Sequence, residues 1–281
     1  MIDLHTHSAY SDGTDTPAEL VAMAEKHGLK ALALTDHDTV AGVPELLAAA
    51  ENTSIEAVTG IELSAEWEQG TMHVLGYFID HTNPALQEKI ERLRKGRDKR
   101  NVEILKKLNK LGYRLLWEDI EKQAGRGVVG RPHIAAALVE RGRMKSKKAV
   151  FDLLLAKGRP GYVDRDRYSA KECIDFIRQA GGVAVLAHPA TIHLPDGQLR
   201  ILIGELKECG LGGIEAYYAE HRPENIRKFT GWAEELGLVC TGGTDFHGMN
   251  SPDLKLGRGF GQLRVPDEVL EQLKAAIPAA T

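Results

Sequence analysis

The sequence predicts an α/β barrel interrupted by a helical insertion. Two observations carry that expectation. Short apolar, β-rich runs recur along the chain, and each carries a histidine or a carboxylate at or near one end: MIDLHTH, LKALALTDHD, AVTGIEL, TMHVLG, VAVLAHP and LVCTGGTDFH. Strand ends that converge on one set of polar side chains describe the C-terminal face of a barrel, where the βα loops meet. Between about Asn83 and Asp164 the strand signal stops and only helical patterns remain, so this stretch reads as an insertion. The expected division is residues 1–83 and 165–281 for the barrel and 84–164 for a small basic helical insert.

Taken in order, the first run, Met1 to Leu4, leads into His5 and His7. Residues i and i+2 of a strand share a face, so both imidazoles point the same way. A helix starts at Thr16-Pro17-Ala18-Glu19, where Thr16 caps, Pro17 occupies the first helical position and Glu19 completes a capping box; Gly28 ends it. The strand LKALALTDHD follows, then a helix near Pro44 to Glu51, then the strands IEAVTGIELSAEW and TMHVLGYF. This is the βαβ rhythm of a parallel sheet. The insert opens with a long charged helix over roughly 85–111, followed by shorter ones near 117–124, 132–142 and 146–156. Alternation resumes with AKECIDFIRQAGGVAVLAHP, LGGIEAYY and LVCTGGTDF, and no internal repeat or low-complexity stretch is present.

At 281 residues and 43% hydrophobic content the chain can bury a large core, which excludes a disordered protein. Cys173, Cys209 and Cys240 lack CxxC spacing, so neither a disulfide framework nor a thiolate zinc site is indicated. The chain shows neither a charged-then-apolar leader nor a run of about 18 apolar residues, so the expectation is a cytoplasmic protein without a membrane partner. The formal net charge of −4 hides an asymmetry: residues 89–168 hold 23 Lys and Arg against 10 Asp and Glu, and the rest holds 13 against 30. A basic segment in an acidic protein points to a surface that meets a compact anion; the plainer alternative is a set of solvated helices.

His5, His7, His37, Glu62, His73, His188, Asp245 and His247 all follow strand-like runs. Any one of them alone reads as an ordinary hydrogen-bonded side chain. Their repetition argues for metal binding. Asp12, in YSDGTDTP, adds a carboxylate, although Asp-Gly is also a turn dipeptide. Imidazole and carboxylate donors without thiolate suit Mn²⁺, Zn²⁺ or Fe²⁺. The inventory exceeds one site's need, so two or three divalent ions are expected, with Glu62 as the natural bridge. Clustered metals carry out hydrolytic chemistry at phosphorus.

The motifs His5-Thr6-His7, Ser11-Asp12-Gly13, Thr35-Asp36-His37-Asp38, Gly60-Ile61-Glu62, His73, Ala187-His188-Pro189 and Thr244-Asp245-Phe246-His247 together carry a resemblance. Over nearly its full length the chain resembles the PHP (polymerase and histidinol phosphatase) family of metal-dependent phosphoesterases. The resemblance implies a distorted (β/α)7 TIM-like barrel with up to three divalent ions, often manganese. Carried over by motif, His5, His7, Glu62 and Asp245 would hold one ion, Asp12, His37 and His247 a second, and Glu62, His73 and His188 a third. It also places Asp12, His37 and His247 among the catalytic residues. Amidohydrolases share an early HxH and a late Asp, but usually bridge their metals with a carbamylated Lys, where this chain offers Glu62.

An enzyme for phosphate monoesters needs fixed positive charge as well as metals. The insert supplies Arg97, Lys99 and Arg100 in KGRDKRN, and Arg131 with His133 in VVGRPHIA, where Pro132 opens a helix. A solvated helix face is the alternative for each. His193, in the loop after His188-Pro189, is a candidate proton donor or phosphate contact, with an ordinary loop histidine as the alternative. A separate cation cluster implies a second phosphate on the substrate. The resemblance narrows this to the branch that hydrolyses the 3′-phosphate of nucleoside 3′,5′-bisphosphates and trims short RNA from the 5′ end. The competing expectations are a histidinol-phosphate-type phosphatase and a non-catalytic, metal-stabilised module bound to a polymerase. No obligate protein partner is expected.

Overall fold

The computed structural model describes residues 1–125 and 127–278; Arg126 of the expected insert and residues 279–281 of the expected barrel lie outside the described residues. Among the described residues seven strands form one sheet whose spatial order is the chain order: β1 (Ile2–Asp3), β2 (Ala31–Leu34), β3 (Glu56–Ser64), β4 (His73–Tyr77), β5 (Val183–Leu186), β6 (Gly213–Tyr218) and β7 (Val239–Gly243). The two edges meet. Leu4 N–H donates to Gly242 O at 3.2 Å, Asp245 N–H donates to His5 O at 2.8 Å, and Thr6 pairs with Phe246 in parallel, which brings the sheet round into a nearly closed barrel. The expected α/β barrel is therefore the observed one.

One strand runs against the expected rhythm. β4 is antiparallel to both β3 and β5, with Gly60 opposite Tyr77 and Ser64 opposite His73. The physical reason is the connection: the short loop 65–72 contains no helix, and a parallel return needs a crossover of a dozen or more residues. The remaining pairs are parallel.

The helices are α1 (Pro17–Lys26), α2 (Val43–Ala50), α3 (Pro84–Lys110), α4 (Trp117–Ala124), α5 (Arg131–Glu140), α6 (Lys147–Val150), α7 (Ala170–Gln179), α8 (Asp196–Glu208), α9 (Pro223–Leu236) and α10 (Glu268–Ala275). The capping box at α1 forms as expected: Thr16 Oγ1 accepts the Glu19 N–H at 3.2 Å, Glu19 Oε2 accepts the Thr16 N–H at 2.8 Å, and Gly28 follows the helix at φ +68°. The helix expected near 146–156 is helical over 147–155, α6 continuing directly into a π-helical turn at Phe151–Leu155.

α3 decides where the site lies. Its buried stripe reads Leu86, Ile90, Leu93, Arg97, Arg100, Asn101, Ile104, Leu108, the spacing of one helix face. The first three pack into the barrel's core with Ile174 and Ile177 of α7, and the last two into a separate core with Ile120, Ile134, Leu138 and Leu155. Each such fully buried aliphatic side chain contributes about 1.5–3 kcal/mol. Between the two apolar ends the same stripe presents Arg97 and Arg100, which line a cavity.

Candidate functional site

The strand ends place the predicted ligands around Glu62. His37 and Glu62 sit side by side in a parallel bridge, held by Asp38 N–H to Glu62 O at 3.0 Å. Glu62 Oε2 lies 2.8 Å from His37 Nδ1, 3.3 Å from His7 Nε2 and 3.5 Å from His5 Nε2, while Oε1 lies 2.7 Å from His73 Nδ1 and 3.0 Å from His188 Nε2. Asp245 Oδ1 is 3.0 Å from His7 Nε2, and Asp12 Oδ1 is 3.2 Å from His247 Nε2. Three overlapping groups result: His5, His7, Glu62 and Asp245; His7, Asp12, His37 and His247; and His37, Glu62 and His73, each with its donor atoms within 4.8 Å of one another. The first matches the set carried over by motif. The second adds His7, and in the third His37 stands beside Glu62 and His73, with His188 reaching the same Glu62 oxygen.

Local backbone explains the convergence. Gly243 lies so close to β1 that a Cβ there would sit 2.3 Å from His5 N, which is why glycine precedes the Thr244-Asp245 turn. His188 and Asp245 hold positive φ, +24° and +57°, conformations that persist in non-glycine residues only where the surroundings enforce them.

The cluster fits divalent metal ions on one observation. His5 Nε2, both ring nitrogens of His7, Asp12 Oδ1, His37 Nδ1, Glu62 Oε2 and Asp245 Oδ1 are buried without a hydrogen-bond partner. Buried polar atoms left unsatisfied cost about 1–3 kcal/mol each. A cation bonded to them removes that cost.

The charges are balanced internally. Burial opposes the charge on His7, yet the carboxylates of Asp245 and Glu62 beside it push the ring up to about 10. Burial likewise opposes the charge on Glu62, but the neighbouring imidazoles of His73, His37 and His5 hold its carboxyl well below the usual range. His73 goes the other way, down to about 4, because burial outweighs the pull of Glu62.

Facing the cluster is a cavity of about 500 Å³. Asp12, His37 and His73 line it together with six cationic side chains, Arg97, Arg100, Arg131, Lys157, Arg165 and Arg167, and with Trp67, Phe151 and Tyr162. Burial and then the charges of Arg97, Arg165, Arg131 and Arg167 push the Arg100 guanidinium down, the signature of like charges crowded together.

The PHP domain model matches residues 3–183. The chain belongs to the PHP domain family. Among PHP relatives, a 5′-3′ exoribonuclease of Haemophilus influenzae is 36% identical over 245 residues, 87% of this chain and 89% of the relative. A 3′,5′-nucleoside bisphosphate phosphatase of Chromobacterium violaceum is 34% identical over 247 residues, 88% and 87% of the two chains. A structure of an amidohydrolase from Chromobacterium violaceum, with sulfate bound and no metal, superposes with a TM-score of 0.88 at 32% identity, covering 99% of this chain and 97% of that one.

Several expected residues of this PHP chain land elsewhere. Lys99 is exposed and lines a different groove with Glu91 and Arg92, because it projects from the opposite side of α3 to Arg97 and Arg100. His133 is buried and its Nδ1 accepts the Gly130 N–H at 3.0 Å, so it caps the start of α5 and is not part of the cavity lining. His193 is exposed at φ +58° after the turn Pro189–Ile192, next to Gly70, and its ring does not line the cavity. Arg97, Arg100 and Arg131 do line it.

Other residues take roles that the sequence did not assign to them. Glu215, wholly buried, accepts from the His5 ring (Nδ1 to Oε1, 2.8 Å) and from the His188 N–H (2.7 Å), leaving His5 Nε2 to face Glu62. Asp36 accepts from Ser8 and Ser11 Oγ, and Tyr218 OH donates to Asp245 Oδ2 at 3.0 Å. Arg165 and Arg167 lie in the irregular segment after the insert, where no periodicity marks them; the density of charge in VDRDRY was the one available signal.

Proposed function

We propose that this PHP protein is a metal-dependent phosphoesterase that hydrolyses the 3′-phosphate of nucleoside 3′,5′-bisphosphates and, with the same side chains, releases nucleotides from the 5′ end of short RNA. The observation that supports this most strongly is the mixed lining of the cavity: acceptor atoms suited to cations and arginine donors suited to an anion share one space of about 500 Å³. A substrate with one phosphate uses only one wall. Relatives named for bisphosphate phosphatase and 5′-3′ exoribonuclease activity support the same reading.

In this reading His5, His7, Glu62 and Asp245, Asp12, His37 and His247, and His73 and His188 with Glu62 hold two or three divalent ions, for which we propose Mn²⁺. Such ions, when bound, polarise the phosphoryl oxygens and supply the activated water. The chain's own groups do the rest. Glu215 holds the His5 ring, and Tyr218 holds Asp245. Arg100 and Arg131 bind the 5′-phosphate, their planar forks matching its oxygens, and so fix the 3′-phosphate against the opposite wall. Among the described residues no helix is long and apolar enough to cross a membrane; we propose a cytoplasmic location, consistent with the three free cysteines.

The direct test is product identity. Manganese-loaded protein given adenosine 3′,5′-bisphosphate is expected to yield 5′-AMP and phosphate. Accumulation of 3′-AMP, or hydrolysis of histidinol phosphate alone, would contradict the proposal.

A further inference from the structure

The turn after β2 sends adjacent side chains to the two sides of the cavity. His37 turns to Glu62, and Asp38 turns the other way, to the base of the arginine wall. Asp38 holds φ +52°, a left-handed conformation that a non-glycine residue keeps only where its surroundings enforce it. Its carboxylate is wholly buried. Oδ1 accepts the Ser64 N–H at 2.9 Å; Oδ2 accepts from Arg97 Nε at 2.8 Å, Arg97 Nη2 at 2.6 Å and Arg165 Nη2 at 2.8 Å.

One carboxylate thus holds two guanidinium groups, one from α3 and one from the segment returning to the barrel. A single negative charge does not neutralise both. The remainder is visible as unused donors: Nε and Nη1 of Arg165, in a side chain only 2% exposed, are buried without a partner, and Arg165 lines the cavity. Leaving such donors without an acceptor is costly, so the arrangement is completed by an anion.

We propose that Asp38 is the positioning residue that sets substrate discrimination. By clamping Arg97 and one nitrogen of Arg165, it aims the free donors of Arg165 at the substrate's second phosphate. Through its peptide bond to His37 it sets how far that phosphate lies from the metal cluster. Asp38 itself touches no substrate. The inference rests on the bisphosphate reading above and adds to it the residue that makes the second phosphate count.

The test compares metal-loaded full-length protein with Asp38→Asn, Arg165→Ala and the double variant, measuring kcat and KM on adenosine 3′,5′-bisphosphate and on 3′-AMP, with metal content and thermal unfolding recorded for each. Asp38→Asn is expected to lose about 10- to 100-fold in kcat/KM on the bisphosphate, the worth of one charged hydrogen bond. The loss falls chiefly in KM, and the loss on 3′-AMP is much smaller. The double variant is expected to be no worse than Arg165→Ala, since Asp38 acts through Arg165. Equal losses on both substrates, or additive losses in the double variant, would overturn the inference. Asp38→Glu keeps the buried charge and displaces it by one methylene, which covers the case in which Asp38→Asn does not fold; unaltered discrimination in that variant would also overturn it. Wild-type protein that does not prefer the bisphosphate contradicts the functional reading itself, whereas a wild-type preference that survives in the variants removes only the role of Asp38.

Discussion

The histidine–carboxylate cluster and the arginine wall line one cavity, and they leave opposite kinds of atom without a partner. In the cluster, imidazoles and carboxylates interleave, and the buried atoms left without partners include the carboxylate oxygens of Asp12, Glu62 and Asp245. In the wall, six cationic side chains meet few carboxylates, and the unpartnered atoms are donors on Arg165. Unused lone pairs ask for a cation, and unused N–H groups ask for an anion. The difference teaches that the kind of orphaned atom, more than net charge, states what each wall binds.

The sharpest way to break the comparison is to remove the residue on which the cluster converges. Glu62→Gln is expected to lose bound metal and to lower turnover by about three orders of magnitude or more. Metal content and phosphate release check it together; full metal occupancy with normal turnover would mean that the cluster is not built on Glu62.

The next effect belongs to the other wall. Arg131→Ala is expected to raise KM for a substrate with two phosphates about 10- to 100-fold while changing an aryl monophosphate far less. Arg131 is well placed for this, its guanidinium lying over the rings of Phe151 and Tyr162 at 6.0 and 5.8 Å from their centres. Steady-state kinetics on both substrates decides it, and equal effects would separate the wall from the second phosphate.

The two walls were not equally legible in the sequence. The cluster was almost fully so, because a strand's two-residue period and the barrel's polar end leave His5, His7, Glu62 and Asp245 little choice of direction. Glu215 was hidden, since it lies mid-strand in IEAYY and meets His5 across 210 positions of chain. The antiparallel β4 was hidden too, because its residues alternate as any strand's do and only the loop 65–72 sets its direction. In the wall, α3's own period separates Arg97 and Arg100 from Lys99, a distinction that counting charges missed. Arg165 and Asp38 were illegible for a different reason: their roles come from a contact between the insert's return segment and a barrel turn 127 positions away.

A smaller effect sharpens the electrostatic half of the comparison. In metal-free protein His7 is raised from 6.5 to about 10, so it holds its proton at pH 7. Its contribution to the metal-free fold is complete below about 6.5 and is lost as pH rises through about 10. Metal must expel that proton, so metal affinity is expected to fall as pH falls. Calorimetry of Mn²⁺ binding at pH 7 in buffers of different ionisation heat should show proton release; none would mean that the cluster binds metal without displacing its imidazole protons.

The smallest effect is expected at Lys99. Lys99→Ala, on the outer face of α3, should alter kcat/KM for the bisphosphate by no more than about twofold, as usual for an exposed surface change. A larger loss would put the outer groove, not the inner wall, in contact with substrate.

The central claim is that one molecule spans both walls, and it is tested most directly by the ratio of kcat/KM for adenosine 3′,5′-bisphosphate to that for 3′-AMP with manganese-loaded protein. A ratio of about 100 or more is expected, the contribution of one well-held phosphate. A ratio near one would contradict it.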